Sequence, residues 1–165
     1  MPACRHPGLR GDDGRDSTGR ARLDMLPYTS SGAIRMEPSL VTDPALLAVL
    51  DELKQREPIF HRPEFGSTRE HFAAMTDVDF WEIGASGQRY SRDYVLDVLE
   101  ERLKRPVEDD WETSDFHCRR IAADNYLLTY TLKQGGRVTR RATLWRRAVE
   151  GWKIVYHQGT VVVDD

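Results

Sequence analysis

The chain has 165 residues, a length that fits one domain whose core needs no disulfide or metal to hold it. Apolar residues make up 39% and charged residues 31%, as in ordinary globular proteins. The formal net charge of −3 argues against a nucleic-acid partner, which would favour a basic patch. No apolar run approaches the roughly 20 residues of a membrane span, and no secretory signal is visible. We therefore expect no membrane association and a cytoplasmic location.

Residues 1–36 differ in composition from the rest of the chain. Their six arginines and four aspartates give a net charge of +2 (six minus four), whereas the remaining residues carry −5 (18 minus 23). Such a stretch buries too little apolar area to offset its ordering entropy, so we expect a disordered extension. It is a basic arm, a transit-like peptide, which the four aspartates disfavour, or a segment without function that precedes a start at Met25 or Met36. Cys4 lies in it and Cys118 in a predicted strand, so we expect two free thiols.

Three helices are predicted at the start of a folded domain that spans residues 40–163. Asp43 caps the first helix, and Pro58 ends it. Ser67 opens a capping box and begins a second, short helix. Ser91 caps the third helix. Apolar residues recur along the first and third helices at helical spacing, which predicts that each buries one face.

One strand is predicted before the third helix, and four follow it. The first candidate is residues 78–84. The others are at about 111–121, 125–134, 137–147 and 152–163, joined by short links with turn chemistry. Strands joined by such short links must be antiparallel, and long strands coil as they twist. The sequence therefore predicts an α+β fold in which three N-terminal helices pack on a strongly curved antiparallel sheet and enclose a pocket of small-molecule size.

Three local patterns stand in order along this domain. They are FWEIGASG (80–87) directly before a capped helix, ATLWRR (142–147), and WKIVYHQGT (152–160) in the last strand. Together they resemble the nuclear transport factor 2-like superfamily, with its SnoaL-like and ketosteroid isomerase-like members, and specifically the branch called domain of unknown function 4440. The resemblance covers roughly residues 43–163. It implies a cone-shaped α+β fold with a pocket at the wide end and a homodimer packed through the sheet.

The resemblance leaves two functions open, because this superfamily includes enzymes as well as binding modules. The first is a domain that binds a small apolar or amphipathic ligand, or a dimeric partner-binding module. The second is a cofactor-independent isomerase, dehydratase or cyclase that works by proton transfer. We expect no cofactor, since no glycine-rich phosphate loop joins a strand to a helix, and no metal, since the histidine spacing matches no ligand motif.

Four ionisable side chains are candidates for the proton transfer. His157 could act as a general base, or a hydrogen bond within the sheet or a dimer interface could satisfy it. Its neighbour Gln158 faces the opposite side, so only one of the two can point into a pocket. Glu82 lies beside large apolar residues that could raise its pKa, or it pairs with an arginine. Asp115 and His117 match the Asp–His pair of superfamily enzymes by position only, and a solvated outer face is the alternative.

Eight side chains are candidates for the wall of a ligand pocket. They are Trp81, Tyr90, Trp111, Tyr130, Trp145, Tyr156, Gln158 and Thr160. The aromatic members fit a packed sheet core equally well. Strict alternation along the last strand predicts that Ile154 shares a face with Gln158 and not with His157. The enzyme hypothesis requires at least two of the four ionisable candidates to converge on one cavity.

Overall fold

The computed structural model describes residues 38–104 and 110–163. The predictions of a disordered segment at 1–36 and of a thiol at Cys4 lie outside the described residues. The chain divides into two units, residues 1–38 and 39–165, and the helices and strands of the described ranges belong to the second.

Three α-helices and one 3₁₀ turn confirm the helix predictions. They are the 3₁₀ turn Pro44–Leu46, α1 (Leu47–Lys54), α2 (Arg69–Met75) and α3 (Arg92–Lys104). Asp43 caps the 3₁₀ turn, since its Oδ1 accepts a hydrogen bond from the backbone N of Ala45 at 2.9 Å. The cap of α2 lies one residue later than predicted, because Thr68, and not Ser67, accepts the bond from the backbone N of His71.

A six-stranded sheet follows the order β2-β1-β6-β5-β4-β3. Its strands are β1 (Thr76–Ile83), β2 (Arg89–Ser91), β3 (Trp111–Ala122), β4 (Asn125–Gln134), β5 (Arg137–Ala148) and β6 (Gly151–Val161). The four strands after α3 pair antiparallel in sequence order, as their short links require. The turn between β4 and β5 uses Gly135 and Gly136, whose φ values of 55° and 76° favour glycine.

The sheet is mixed instead of wholly antiparallel, because β1 runs parallel to β6. This pairing sets Glu82 directly beside His157 on the neighbouring strand. Short links dictate strand direction only between consecutive strands, whereas most of the domain separates β1 from β6 along the chain. The strand β2, which pairs antiparallel with the other edge of β1, was not predicted because three residues are too few to show alternation.

The core lies between the three helices and the inner face of the curled sheet. Leu53 of α1, Phe72 of α2 and Leu99 of α3 belong to one buried cluster with Leu128 and Ile154 of the sheet. Burying a side chain of this size contributes roughly 1.5–3 kcal/mol relative to leaving it exposed. We call the face that carries Leu128 and Ile154 the inner face and the opposite one the outer face.

A β-bulge between β5 and β6 changes which residues of β6 face the core. Thr143 pairs with His157, whereas Trp145 pairs with Ile154, so two steps along β5 correspond to three along β6. Ile154 and His157 are therefore both buried on the inner face. The prediction that Ile154 shares a face with Gln158 is wrong, because one extra residue in a strand reverses the alternation beyond it.

Candidate functional site

Four polar side chains form a continuous hydrogen-bonded series on the inner face. We call this series, made of Glu57, Thr143, His157 and Arg141, the inner polar chain. The Oγ1 of Thr143 lies 2.6 Å from Oε1 of Glu57 and 3.0 Å from Nδ1 of His157. The Nε2 of His157 lies 3.1 Å from Nη1 of Arg141. The series therefore links a carboxylate to a guanidinium across two adjacent strands.

The arginine determines the direction of every hydrogen bond in this chain. A guanidinium can only donate, so Nε2 of His157 accepts and Nδ1 carries the ring proton. The Nδ1–H then donates to Oγ1 of Thr143, whose own hydrogen reaches the carboxylate of Glu57. Burial and the charge of Arg141 lower the pKa of His157 to about 3, which keeps the ring neutral in this arrangement.

Glu57 is fully buried, and its carboxylate accepts four hydrogen bonds. The donors besides Thr143 are the hydroxyl of Tyr130 at 2.8 Å, the backbone N of Ile59 at 2.9 Å and Nε1 of Trp145 at 3.2 Å. Burial raises the pKa of Glu57, and the four donors offset part of that rise. Tyr130 and Trp145, predicted as pocket wall, thus lie in the core around this carboxylate. Glu57 was not among the sequence candidates, because its side-chain partners lie 73 to 88 residues away.

A cavity of about 310 Å³ lies at the Arg141 end of the inner polar chain. Its ionisable lining residues are His61, Glu82, Arg102, Arg141 and His157, and its apolar lining comes largely from α3 and the segments beside it. Two of the four ionisable candidates, Glu82 and His157, therefore reach one cavity. The pairing of β1 with β6 brings them together, since their positions are direct partners in the two strands.

The carboxyl group of Glu82 lines the cavity and has no hydrogen-bond partner within residues 38–104 and 110–163. Burial raises its pKa, and the charge of Arg141 offsets part of the rise. A carboxyl group in this setting can exchange a proton closer to neutral pH than an exposed glutamate can.

The guanidinium of Arg141 occupies a place that Gly159 leaves open. A Cβ at position 159 would lie 3.1–3.3 Å from Nη1, Cζ and Nε of Arg141, closer than ordinary contact. The Nε of Arg141 donates to Oγ1 of Thr139 at 2.9 Å, and Nη1 donates to His157. The glycine of the HQGT pattern thus allows the guanidinium to lie against β6.

Tyr90 is the predicted wall residue that lines the cavity. Its ring stacks on that of Tyr94, with centroids 5.0 Å apart and planes at 10°. A Cβ at Gly84 would lie 2.8 Å from this ring, so the glycine of the FWEIGASG pattern makes room for it. A glycine in each of two sequence patterns therefore makes room for a cavity residue, Tyr90 beside Gly84 and Arg141 beside Gly159. These glycines are the sequence signal that could have identified the two residues.

Asp115 and His117 lie on the outer face, away from the cavity. Asp115 accepts a hydrogen bond from Oγ1 of Thr131 at 2.7 Å and pairs with Arg140 at 3.4 Å. The hydrogen bond from Thr131 is the largest of several effects that lower the pKa of Asp115. His117 also faces outward, since its neighbour Cys118 is buried in the core. The structure therefore separates this pair from Glu82 and His157.

Most of the remaining predicted wall residues also lie on the outer face. The rings of Trp81 and Tyr156 have centroids 4.7 Å apart, and the hydroxyl of Tyr156 donates to Oε1 of Gln158 at 2.6 Å. Thr160 follows them, 3.5 Å from Nε2 of Gln158. Trp111 lies apart from this group, with the guanidinium of Arg62 4.4 Å above its ring centroid.

Metal-binding groups, helices long enough to cross a membrane and a free thiol are considered for the described residues. Within residues 38–104 and 110–163, no three His, Cys, Asp or Glu side chains are grouped so that they could hold a metal ion. None of the helices in these ranges has the length and apolar character needed to cross a bilayer. Cys118 is a free, buried thiol, and burial raises its pKa.

A scan against protein-family models and a search of curated proteins find no match. Solved structures do match. An NTF2-like protein from Cytophaga hutchinsonii superposes with a TM-score of 0.55 at 15% identity, over 70% of this chain and 96% of that one. The chain has an NTF2-like fold. A candidate dehydratase of the NTF2-like family from Streptomyces avermitilis gives a TM-score of 0.57 at 15% identity, over 71% of this chain and 98% of that one.

A third match widens this comparison. An uncharacterised protein with a cystatin-like fold from Caulobacter vibrioides gives a TM-score of 0.52 at 18% identity, over 73% of this chain and 90% of that one. The resemblance to the nuclear transport factor 2-like superfamily is thus confirmed at the level of the fold. The narrower branch, domain of unknown function 4440, stays a prediction.

Proposed function

We propose that this NTF2-like domain binds a small, partly apolar molecule in the cavity beside α3. The observation that carries the proposal is a cavity of about 310 Å³ that both apolar and polar side chains line. Tyr90, Tyr94 and Val98 supply apolar surface, and Glu82 and Arg141 supply polar groups. Ligand pockets in proteins typically join a mostly apolar wall to a few polar groups that orient the ligand.

Ligand-observed NMR with a library of small aromatic and aliphatic compounds tests this proposal. In a Val98→Trp variant the larger ring should occupy the cavity, so the compounds that bind the native chain should no longer bind. A Val78→Trp variant serves as the control, because Val78 is 79% exposed and lies outside the lining. If the same compounds bind equally well to Val98→Trp, the cavity is not their site and the proposal fails.

A second candidate function is proton transfer by Glu82, favoured by its raised pKa and its lack of a described hydrogen-bond partner. In this reaction the carboxylate would remove a proton from a carbon next to a ligand carbonyl and return it to another carbon. Arg141 would donate a hydrogen bond to the carbonyl oxygen as charge develops there. His157 would position Arg141, since its Nε2 already accepts a bond from that guanidinium.

Deuterium incorporation separates proton transfer from binding alone. A ligand identified by NMR is incubated with the protein in D₂O, and its mass is followed by mass spectrometry. We expect exchange with the native chain and with Asp115→Asn on the outer face, and no exchange with Glu82→Gln. If the native chain binds carbonyl ligands without exchanging their protons, the proton-transfer function is excluded for them and binding remains.

The outer face supports a homodimer, as the superfamily resemblance implies. Trp81 is 43% exposed and contacts Tyr156, which gives this side of the sheet an aromatic surface of the kind found at interfaces. Light scattering at micromolar concentration should therefore give the mass of a dimer, and Trp81→Arg should give a monomer. A native chain that is monomeric in this measurement would contradict the dimer. The cytoplasmic location also stays a prediction.

A further inference from the structure

We propose that the ligand of the cavity carries a single carboxylate, which Arg141 binds, joined to a short aromatic or aliphatic body that lies against Tyr90 and Val98. The proposal rests on the proposed function, since it names the chemical class of the small molecule that occupies the cavity.

Contacts with β5 and β6 hold the guanidinium of Arg141 in place. Thr139 accepts from Nε, His157 accepts from Nη1, and Gly159 leaves the space in which the guanidinium lies. These contacts fix the plane of the guanidinium and leave further N–H groups for a ligand. A fixed guanidinium binds a carboxylate through parallel hydrogen bonds with little loss of side-chain freedom.

The charge of Arg141 has no directly bonded counterion in the described part of the chain. Within residues 38–104 and 110–163, the hydrogen bonds of Arg141 go to uncharged side chains, and no carboxylate forms an ion pair with it. Glu82 interacts with this cation only through space, so a ligand anion that accepted hydrogen bonds from the guanidinium would give it a direct partner. A cavity that places this cation at its wall is therefore suited to a negatively charged ligand.

A second guanidinium lines the cavity, but it is engaged by the protein. Arg102 donates to the carbonyl oxygen of Phe60 and lies 3.2 Å from Nε2 of His61, so Arg141 is the cation that we assign to a singly charged ligand. Glu82 lines the same cavity and interacts electrostatically with Arg141. A dianionic phosphate would bring a second negative charge towards this carboxyl group, whereas a carboxylate would be neutralised by Arg141. With its pKa raised by burial, Glu82 can also be protonated and donate a hydrogen bond to the ligand.

The apolar lining of the cavity is suited to the rest of the ligand. The stacked rings of Tyr90 and Tyr94 and the side chains of Val98 and Leu99 form an apolar wall. The cavity of about 310 Å³ lies at the small end of the range for ligand pockets. A compact aryl or alkyl carboxylic acid fits both properties, whereas a long acyl chain does not.

Affinities of 3-phenylpropanoate and of its neutral analogue 3-phenylpropanamide, measured by titration calorimetry or NMR, test the assignment. The native chain should bind the acid at least about tenfold more tightly than the amide, because charge-assisted hydrogen bonds to the guanidinium are lost with the amide. In Arg141→Met the preference should disappear. The matched control is Arg140→Met, the neighbouring arginine on the outer face, which should keep it. Phenyl phosphate should bind more weakly than the acid.

A second variant covers the case in which Arg141→Met does not fold. Gly159 has no positive φ, so Gly159→Ala introduces a Cβ without backbone strain and displaces the guanidinium by a few tenths of an ångström. It should lower the affinity for the acid severalfold and leave that for the amide unchanged. Loss of affinity for both compounds alike would show that the variant damages the whole cavity and would contradict the role of Arg141.

The remaining outcomes separate this proposal from the proposed function. Equal affinities of the acid and the amide for the native chain would overturn the carboxylate assignment and leave small-molecule binding intact. A preference for the acid that persists in Arg141→Met would overturn the assignment to Arg141. If neither compound binds, the ligand class is wrong, and if no compound of the wider library binds either, the proposed function fails with it.

Discussion

Each face of the sheet contacts a carboxylate that hydrogen bonds connect to a threonine and an arginine. The inner carboxylate, Glu57, lies in the segment after α1 and is connected to its arginine through His157. On the outer face Asp115, Thr131 and Arg140 meet in solvent, and the contacts lower the pKa of Asp115. On the inner face Glu57 accepts four hydrogen bonds, yet burial raises its pKa. The two carboxyl groups have similar hydrogen-bond partners, but their pKa values shift in opposite directions, because desolvation outweighs hydrogen bonding only where water is absent.

The two faces also differ in how much stability is lost when one hydrogen-bond partner is removed. A partner lost on the outer face can be replaced by water, so each contact there contributes little. A partner lost on the inner face leaves a buried polar group unsatisfied. The inner polar chain is thus constrained from Glu57 to His157, and only its Arg141 end opens into a cavity where a ligand can take part.

The largest difference between the faces should appear when each carboxylate becomes an amide. Glu57→Gln places an NH₂ group among donors, and the backbone N–H of Ile59 cannot reverse its role, so we expect a loss of about 3 kcal/mol in the free energy of unfolding. Asn tolerates the φ of 55° at position 115, so Asp115→Asn should change the free energy of unfolding by less than about 0.5 kcal/mol. Urea unfolding measures both, and equal effects would refute the distinction.

The threonines provide a second, smaller comparison. Thr143→Val keeps the side-chain shape but leaves Nδ1–H of His157 without its acceptor and Glu57 without one donor, so a loss of about 2 kcal/mol is expected. Thr131→Val removes an exposed hydroxyl and should cost less than about 0.5 kcal/mol. Chemical denaturation of the two variants checks this. A neutral result for Thr143→Val would show that the inner chain is not connected as described.

Acidification should destabilise the inner face through His157. The folded ring stays neutral down to a pKa of about 3, whereas the unfolded ring binds a proton below about 6.5, so its contribution is full above that pH and falls as the pH drops. Between pH 6.5 and about pH 5 the loss is about 1.5 kcal/mol. Buried Glu57 and Glu82 act in the opposite sense, since their raised pKa values favour the folded state at low pH.

Unfolding free energies across this pH range isolate the histidine contribution. The native chain and Gln158→Ala, a change on the outer face, should show the same decline towards low pH. His157→Gln should remove most of the decline between pH 6.5 and 5. A variant that keeps the native slope would mean that His157 is protonated in the folded protein and that the assigned direction of the inner hydrogen bonds is wrong.

The smallest expected effects come from replacing Gly84 and Gly87, which differ in the space that a Cβ would have. Gly84→Ala places a Cβ against the ring of Tyr90, so the ring must shift, and we expect severalfold weaker ligand binding with less than about 1 kcal/mol of lost stability. Gly87→Ala has open space but a φ of 82°, so it should cost about 1 kcal/mol without changing affinity. NMR titration and thermal unfolding measure the two effects. The reverse pattern would remove Tyr90 from the site.

Features that depend on neighbouring residues could be predicted. The cap at Asp43, the glycine turn at Gly135 and Gly136 and the lengths of the four last strands follow from local preferences, and the structure confirms them. The cap of α2 was misplaced by one residue because Ser67 and Thr68 offer the same chemistry side by side. Within the site, Glu82, His157 and Tyr90 were among the candidates and line the cavity.

The rest of the site depends on contacts between distant parts of the chain. Glu57 lies three residues after the end of α1, and nothing near it in sequence shows that Tyr130 and Trp145 surround it in the folded domain. The bulge in β6 likewise reverses the alternation on which the assignment of faces depended. Trp81 of β1 and Gln158 of β6 both lie on the outer face, and neither lines the cavity.

The amino-acid pattern was therefore sufficient for the elements, their order and the α+β class, because caps, turns and periodicity act over a few residues. The parallel pairing of β1 with β6, which sets Glu82 beside His157, required the folded domain, as did the placing of Arg141 over Gly159. Such pairings join residues far apart in the chain and leave no periodic trace in it. Burial then gave similar polar groups different properties on the two faces, which residue type alone does not encode.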